Sequence, residues 1–210
     1  MGTRHGDGST TEIDSMVRSP LEEPNGLVVH PEVITRGQES GLLGKFETMR
    51  WDPIVIRGQT ARRTARHFGL AYDYEARNPR PGDPIPAWLE PARAAAAALA
   101  GQPPGDLVEA LIQRYPPGST IGWHRDAPAF GIVVGISLLG AARLRLQRGR
   151  RERRRTWEVK LEPRSGYVLA GDARRFWEHS IPPTKELRYS ITFRTLSASA
   201  ARPACERPRC

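Results

Sequence analysis

The sequence predicts an α+β fold whose larger, C-terminal part is a β-sandwich or jelly roll. Helix signals occur only in the first half of the chain. From Asp106 onward, short alternating segments follow one another, separated by Gly, Pro and Asp turns. The 210 residues contain no linker or repeat, so one domain is expected. Helices first and many closely spaced strands afterwards are the pattern of an α+β protein with a two-layered β core.

The elements follow in order. Residues 1–26 mix Gly, Ser, Thr, Asp and Pro without periodicity and read as a disordered leader. Leu27-Val28-Val29 is a strand. Thr35, with Gln38 three positions later, makes a capping box ahead of Leu42, Leu43 and Phe46, which predicts a helix of about 12 residues. Ile54 to Ile56 is a strand, and Tyr72 and Tyr74 alternate in another. Residues 62–68, before Tyr72, read as a loop. Pro79 to Pro86 is a second loop, opening a helix to Ala100. Strands then run Val108 to Tyr115, Gly131 to Leu139, Arg143 to Gln147, Trp157 to Leu161, Tyr167 to Ala170 and Arg188 to Leu196. The domain is expected over 27–196, with 197–210 a flexible tail.

Composition excludes several classes. No apolar run approaches the ~18 to 20 residues that a bilayer requires, so no membrane partner is expected. The polar N-terminus lacks the apolar core of a secretory signal, which predicts a cytoplasmic protein. Cys205 and Cys210 both lie at the extreme C-terminus, against a disulfide framework and against a cysteine metal site. Lys+Arg 32 against Asp+Glu 23 gives a net charge of +9, which fits either a polyanionic partner or solubility alone.

Two constellations carry chemistry. In Trp123-His124-Arg125-Asp126, residues two apart on an extended segment project to one side, so His124 and Asp126 can aim at one point. His179 lies in a comparable context. Two His and one carboxylate on one face of a metal form the facial triad of non-haem iron(II) oxygenases. The second constellation is Arg188-Tyr189-Ser190-Ile191-Thr192-Phe193-Arg194. Its period of two places Arg188, Ser190, Thr192 and Arg194 on one face, which either meets solvent or lines a cavity. Six residues separate the arginines by about 20 Å, and side chains leaning inward leave about 7 Å, room for a five-carbon dicarboxylate with one guanidinium on each carboxylate.

These motifs, with Leu111-Ile112-Gln113-Arg114-Tyr115-Pro116-Pro117-Gly118 before them and Arg174-Arg175-Phe176-Trp177-Glu178-His179-Ser180-Ile181 between them, resemble the AlkB branch of the 2-oxoglutarate- and iron(II)-dependent oxygenases. The resemblance covers about Leu27 to Leu196 and is specific in the second half. It implies a double-stranded β-helix with the N-terminal helices packed on one sheet. It further implies Fe(II) held by His124, Asp126 and His179, and molecular oxygen and 2-oxoglutarate as cosubstrates. The keto acid end of 2-oxoglutarate would lie beside Arg194, and its distal carboxylate would meet Arg188 and Tyr115. Gln113 and Ser190, where the family often has Asn, are expected to contact the cosubstrate as well. Members oxidise an alkyl group with release of succinate and carbon dioxide, and an N-hydroxymethyl product then loses formaldehyde.

The resemblance implies alkylated DNA or RNA as the substrate, and a monomer is expected. The same chemistry on a protein side chain or small metabolite, or a basic binding module with an inactive pocket, are the alternatives. Eight of the thirteen residues from Arg143 to Arg155 are arginine, either a solvated hairpin or an arm that tracks phosphates. Arg62, Arg63 and Arg66 would form the opposite wall. A base in a duplex must be flipped to reach the metal, and Tyr72, Tyr74, Trp123 and Trp177 are candidates to stack it.

Overall fold

The structure, a computed structural model, describes residues 23–56, 58–73, 78–150 and 153–201. The expected leader lies mostly outside the described residues, as do Tyr74, Arg151 and the segment holding both cysteines. Among the described residues the first strand is β1 (Leu27–His30) and the last is β12 (Arg188–Leu196). Between them lie β2 (Asp52–Ile56), β3 (Gln59–Asp73), β4 (Asn78–Pro81), β5 (Leu107–Tyr115), β6 (Ile121–His124), β7 (Phe130–Leu138), β8 (Ala142–Arg148), β9 (Arg155–Leu161), β10 (Gly166–Leu169) and β11 (Glu178–Ile181). The helices are α1 (Arg36–Glu47), α2 (Glu90–Ala100), α3 (Gly171–Arg175) and α4 (Ala198–Ala201).

The strands form two antiparallel sheets. The larger runs β1-β10-β7-β12-β5-β3-β2, with β4 on β3, and the smaller runs β6-β11-β8-β9. This is the jelly roll expected from the sequence. The capping box at Thr35 is complete, with the Thr35 side chain accepting from the Gln38 amide and the Gln38 side chain accepting from the Thr35 amide. Both long helices pack on the outer face of the larger sheet. There Leu42, Phe46, Leu89, Ala92 and Ala96 meet Ala110, Ile112, Val134, Ile136, Ile191 and Phe193 in one buried cluster. A second cluster, including Val133, Leu144, Leu146, Leu161, Leu169, Trp177 and Ile181, fills the space between the sheets.

β12 is central, flanked by β5 and β7, so both of its faces are covered. Its apolar face joins the helix-side core. Its polar face is turned inward rather than to solvent, with Arg188, Ser190 and Thr192 only 2%, 3% and 6% exposed.

The sequence reading needs three corrections. Residues 62–68 are strand rather than loop, because β3 pairs with β5 from Thr64 to Gly69. Polar and basic residues on both faces hide its period. The segment after Pro79 includes β4, an edge strand that pairs only with β3; an edge tolerates the prolines that a central strand would not. β6 and β11 are four residues each and fall below the length at which alternation is readable. Among the described residues, no helix is long and apolar enough to cross a membrane.

Phe46, 1% exposed and in ring contact with Trp51, Trp88 and Tyr189, fixes α1 to the sheet. Replacing it with Ala should cost about 3 to 5 kcal/mol, read as a lowered denaturation midpoint with an unchanged slope.

Candidate active site

The smaller sheet brings the two histidines together. β6 and β11 pair so that His179 stands opposite His124, with ring centroids 4.2 Å apart. Asp126 follows β6 by two residues, on a loop fixed by the Arg174 guanidinium. Arg174 donates to the carbonyls of Gly131 (2.9 Å), Ala127 (2.8 Å), Phe130 (2.8 Å) and Asp126 (3.4 Å). One ligand atom each from His124, Asp126 and His179 falls within 4.8 Å of the others. His124 Nδ1 is 2.9 Å from the Gly122 carbonyl; donating there fixes the tautomer and leaves Nε2 for a metal.

The donor set fits a divalent metal. Asp126 Oδ2 is buried without a hydrogen-bond partner, 3.5 Å from His179 Nε2. A buried carboxylate oxygen left bare is costly, and a cation at this point satisfies it. Burial would raise the Asp126 pKa, but the charges of Arg194, His179, Arg174 and His124 together hold it well below the usual carboxylate range. Burial pushes His179 down to about 4, outweighing the pull of Asp126. Both groups are therefore in their metal-binding protonation state at neutral pH.

The inner face of β12 and its neighbours makes the second half of the site. The Arg188 guanidinium lies 4.8 Å over the Tyr115 ring and donates from Nε to Ser137 Oγ at 3.0 Å. One of its terminal nitrogens is buried with no partner. A buried, unpaired guanidinium nitrogen calls for an anion, as the distal carboxylate of 2-oxoglutarate would supply. Tyr115 donates to Gln113 Oε1 at 2.7 Å, so the longer amide at 113 orients the tyrosine. Ser190 lies across the ladder from Gln113.

Arg194 departs from the sequence reading. Nε and one terminal nitrogen donate to Asp126 Oδ1 at 3.0 and 2.7 Å, and the other terminal nitrogen donates to Glu109 Oε2 at 2.6 Å. Its charge is met within the protein by Asp126 and Glu109, whereas Arg188 keeps an unpartnered buried nitrogen, so the two arginines are not equivalent.

Tyr167, missed by the sequence reading, lines the same inner face. It pairs across the ladder with Gly135, which pairs with Thr192. A Cβ on Gly135 would fall 2.2 Å from the Tyr167 ring, so the glycine is required by the phenol laid over it. A lone Gly inside an alternating strand is the signal that could have found this close approach. Burial pushes the phenol up to about 12, which keeps it a hydrogen-bond donor.

The expected substrate contacts are mostly redistributed. Trp123 adjoins His124 in β6 and so points to the opposite face of the sheet, with Arg145 5.0 Å from its ring centre; it is not a stacking platform at the triad. Trp177 is 6% exposed and belongs to the core between the sheets. Arg66 is held by Asp52 and Asp83 and does not form a free cationic wall. Arg63 is half-buried on β3, on the side of Ala65, whose cross-strand partner is Gln113. Tyr72 lies in β3 opposite Pro79, and its side chain lies outside the described residues. Phe176, 51% exposed with Arg148 5.0 Å over its ring, is an aromatic near His179 that periodicity could not flag.

A model of the 2OG-Fe(II) oxygenase superfamily matches residues 12–194. The chain belongs to this superfamily. It is a dioxygenase whose cofactors are Fe(II), 2-oxoglutarate and molecular oxygen. Two relatives of this oxygenase are an uncharacterized protein, L905, of Acanthamoeba polyphaga mimivirus and an "alkylated DNA repair protein ALKBH8 homolog" of Arabidopsis thaliana. The first is 25% identical over 82% of this chain and 85% of its own length. The second is 26% identical over 81% of this chain and 54% of its own, so the chain spans about half of that relative. Among solved structures, OsALKBH1 superposes with a TM-score of 0.63 at 17% identity, covering 81% of this chain and 96% of that one. A prolyl hydroxylase from Trichoplax adhaerens superposes at 0.57 and 14% identity, covering 82% and 84%. The AlkB-type resemblance agrees with these relatives, and the structures share the oxygenase's fold.

Three expectations follow for the oxygenase. His124→Ala and Asp126→Ala should each abolish stoichiometric Mn(II) binding, and Arg188→Met should raise the KM for 2-oxoglutarate at least about tenfold while leaving metal affinity unchanged. As pH falls from 6.5 toward 4, the unfolded chain takes up a proton at His179 that the folded, metal-free protein refuses. Stability of that form should therefore fall through this window by at most about 1 kcal/mol per pH unit. Asp126 extends the loss below it, and His179→Gln should flatten the slope in chemical denaturation.

Proposed function

We propose that this oxygenase demethylates alkylated bases in DNA or RNA. The observation that carries the reading is the distribution of arginine on the smaller sheet, the one whose strands carry both histidines. In the β8–β9 hairpin, Arg150, Arg153, Arg154 and Arg155 are exposed, and among the described residues no carboxylate pairs with them. Arg143 and Arg148 have partners in Glu158 and Asp172. Exposed guanidinium groups without a carboxylate partner among the described residues, on the sheet that carries both histidines, suit a phosphate backbone, which arginines hold without reading sequence. A cleft of about 850 Å³ that meets the triad at Asp126 and is lined also by Arg125, Phe130, Arg174, Arg175 and Glu178 is within the size range of ligand sites. The name of the Arabidopsis relative, an alkylated DNA repair protein homolog, supports the same substrate class.

The chain's own residues do the positioning. His124, Asp126 and His179 would hold the metal, and Arg188, Tyr115 and Gln113 would hold the cosubstrate. The sheets exclude bulk water from the space between them, and the hairpin steers the polyanion toward the mouth. Iron, 2-oxoglutarate and molecular oxygen, when bound, would supply the oxidation of the alkyl carbon, with succinate and carbon dioxide released. A methyl carbon bonded to nitrogen becomes hydroxymethyl and is lost as formaldehyde.

Succinate and formaldehyde should form from methylated oligonucleotides in the presence of Fe(II) and 2-oxoglutarate. Turnover of a methylated peptide or small metabolite with none on any methylated base would overturn the substrate assignment. Replacing Arg150, Arg153, Arg154 and Arg155 with Ser should reduce the slope of log affinity against log salt by about 3 to 4, with 2-oxoglutarate uncoupled turnover unchanged.

A further inference from the structure

Among the described residues, the inner face carries a buried carboxyl side chain that neither the metal nor the cosubstrate accounts for. Glu109 is 1% exposed and stands on β5 directly across the ladder from Arg194. A carboxylate buried this completely needs compensation. Oε2 accepts from Arg194 at 2.6 Å, and Oε1 is 3.3 Å from His67 Nδ1. His67 is on β3, two residues before Gly69, the cross-strand partner of Glu109. A chain of contacts thus runs from the half-exposed His67 ring through Glu109 and Arg194 to Asp126.

The geometry of the last contact matters most. Both Nε and one terminal nitrogen of Arg194 donate to the same oxygen, Asp126 Oδ1. Oδ2 is left free of hydrogen bonds on the side of His179. Arg194 thereby selects which carboxylate oxygen meets the metal. A guanidinium is planar, so gripping its far nitrogen through Glu109 fixes the plane in which it reaches Asp126.

We infer that Glu109 is a positioning residue, acting through Arg194 to orient Asp126 toward the metal and to keep the charge of Arg194 from being spent on the cosubstrate. Asp126, Arg194 and Glu109 together carry a net charge of −1, which favours a divalent cation and opposes a dianion. Neutralising Glu109 removes that unit. The metal should then bind less tightly and 2-oxoglutarate more tightly. A residue that served only to hold the fold would weaken both. The inference rests on Asp126 being a metal ligand, and that premise is tested separately by Asp126→Ala.

The experiment uses the full chain without oxygen. Mn(II) binding is followed by the electron paramagnetic resonance of free Mn(II), and 2-oxoglutarate binding by calorimetry at saturating Mn(II). Glu109→Gln should raise the Mn(II) dissociation constant about tenfold, the lower end for loss of an outer-sphere partner, while 2-oxoglutarate binds at least as tightly as to the parent protein. Glu109→Asp, which keeps the charge, should recover most of the metal affinity. Unchanged Mn(II) affinity in Glu109→Gln, or equal weakening of both ligands, overturns the assignment. Retention of Mn(II) binding by Asp126→Ala would show instead that the ligand set is wrong, whatever Glu109 does.

Discussion

The ion pair between Arg194 and Asp126 constrains most of what surrounds it. Two opposite charges held inside a β-sandwich survive only where geometry and further hydrogen bonds compensate their desolvation. Here each compensating group belongs to a different element. Arg194 comes from the central strand β12, Asp126 from the loop after β6, Glu109 from β5, and the Arg174 side chain that clamps the Asp126 loop from α3. The two sheets are therefore tied to each other at the metal end by charge, and elsewhere by the apolar cluster around Leu144, Leu146 and Leu169. Removing one partner would strand the others, whereas the loss of an apolar contact there would be local.

That tie explains a division of labour between the sheets. The smaller sheet supplies the histidines, paired across β6 and β11 so that their rings are neighbours whatever the loops do. The larger sheet supplies a polar wall of Arg188, Gln113, Tyr115, Ser137 and Ser190, each buried. Helices covering its outer face make this possible. A central strand has no solvent-facing side, so its polar residues must find internal partners or a ligand. Arg188 has an internal partner for one nitrogen and none for another.

Much of this was legible in the sequence because it is local and periodic. The capping box at Thr35 needs only three residues of context, and the alternation from Arg188 to Arg194 states its two faces without reference to any other strand. The expectations that failed needed tertiary information. The partners of Arg194 lie 68 and 85 positions away in the chain, so spacing alone suggested two equivalent arginines where there is one anchored and one waiting. Trp123 reads from the sequence as one of four aromatic candidates to stack a base, yet its place next to His124 in β6 puts it on the opposite face. Arg66 reads as part of a cationic wall, yet Asp52 on β2 and Asp83 in the loop after β4 pair with it.

The same contrast sharpens the meaning of the net charge of +9. An arginine speaks for a partner only once its internal carboxylates have been subtracted. Arg194, Arg66 and Arg164 are accounted for by Asp126 and Glu109, Asp52 and Asp83, and Glu32 and Glu39 respectively. Arg174 is absorbed by backbone carbonyls. The exposed guanidinium groups at the tip of the β8–β9 hairpin have no such explanation among the described residues. Their charge is carried at the turn end of the hairpin, where β8 has already run past its last pairing with β11, and exposed charges are screened by solvent from the buried balance that holds the metal site. Affinity for a charged substrate and affinity for the metal can on this arrangement be changed independently.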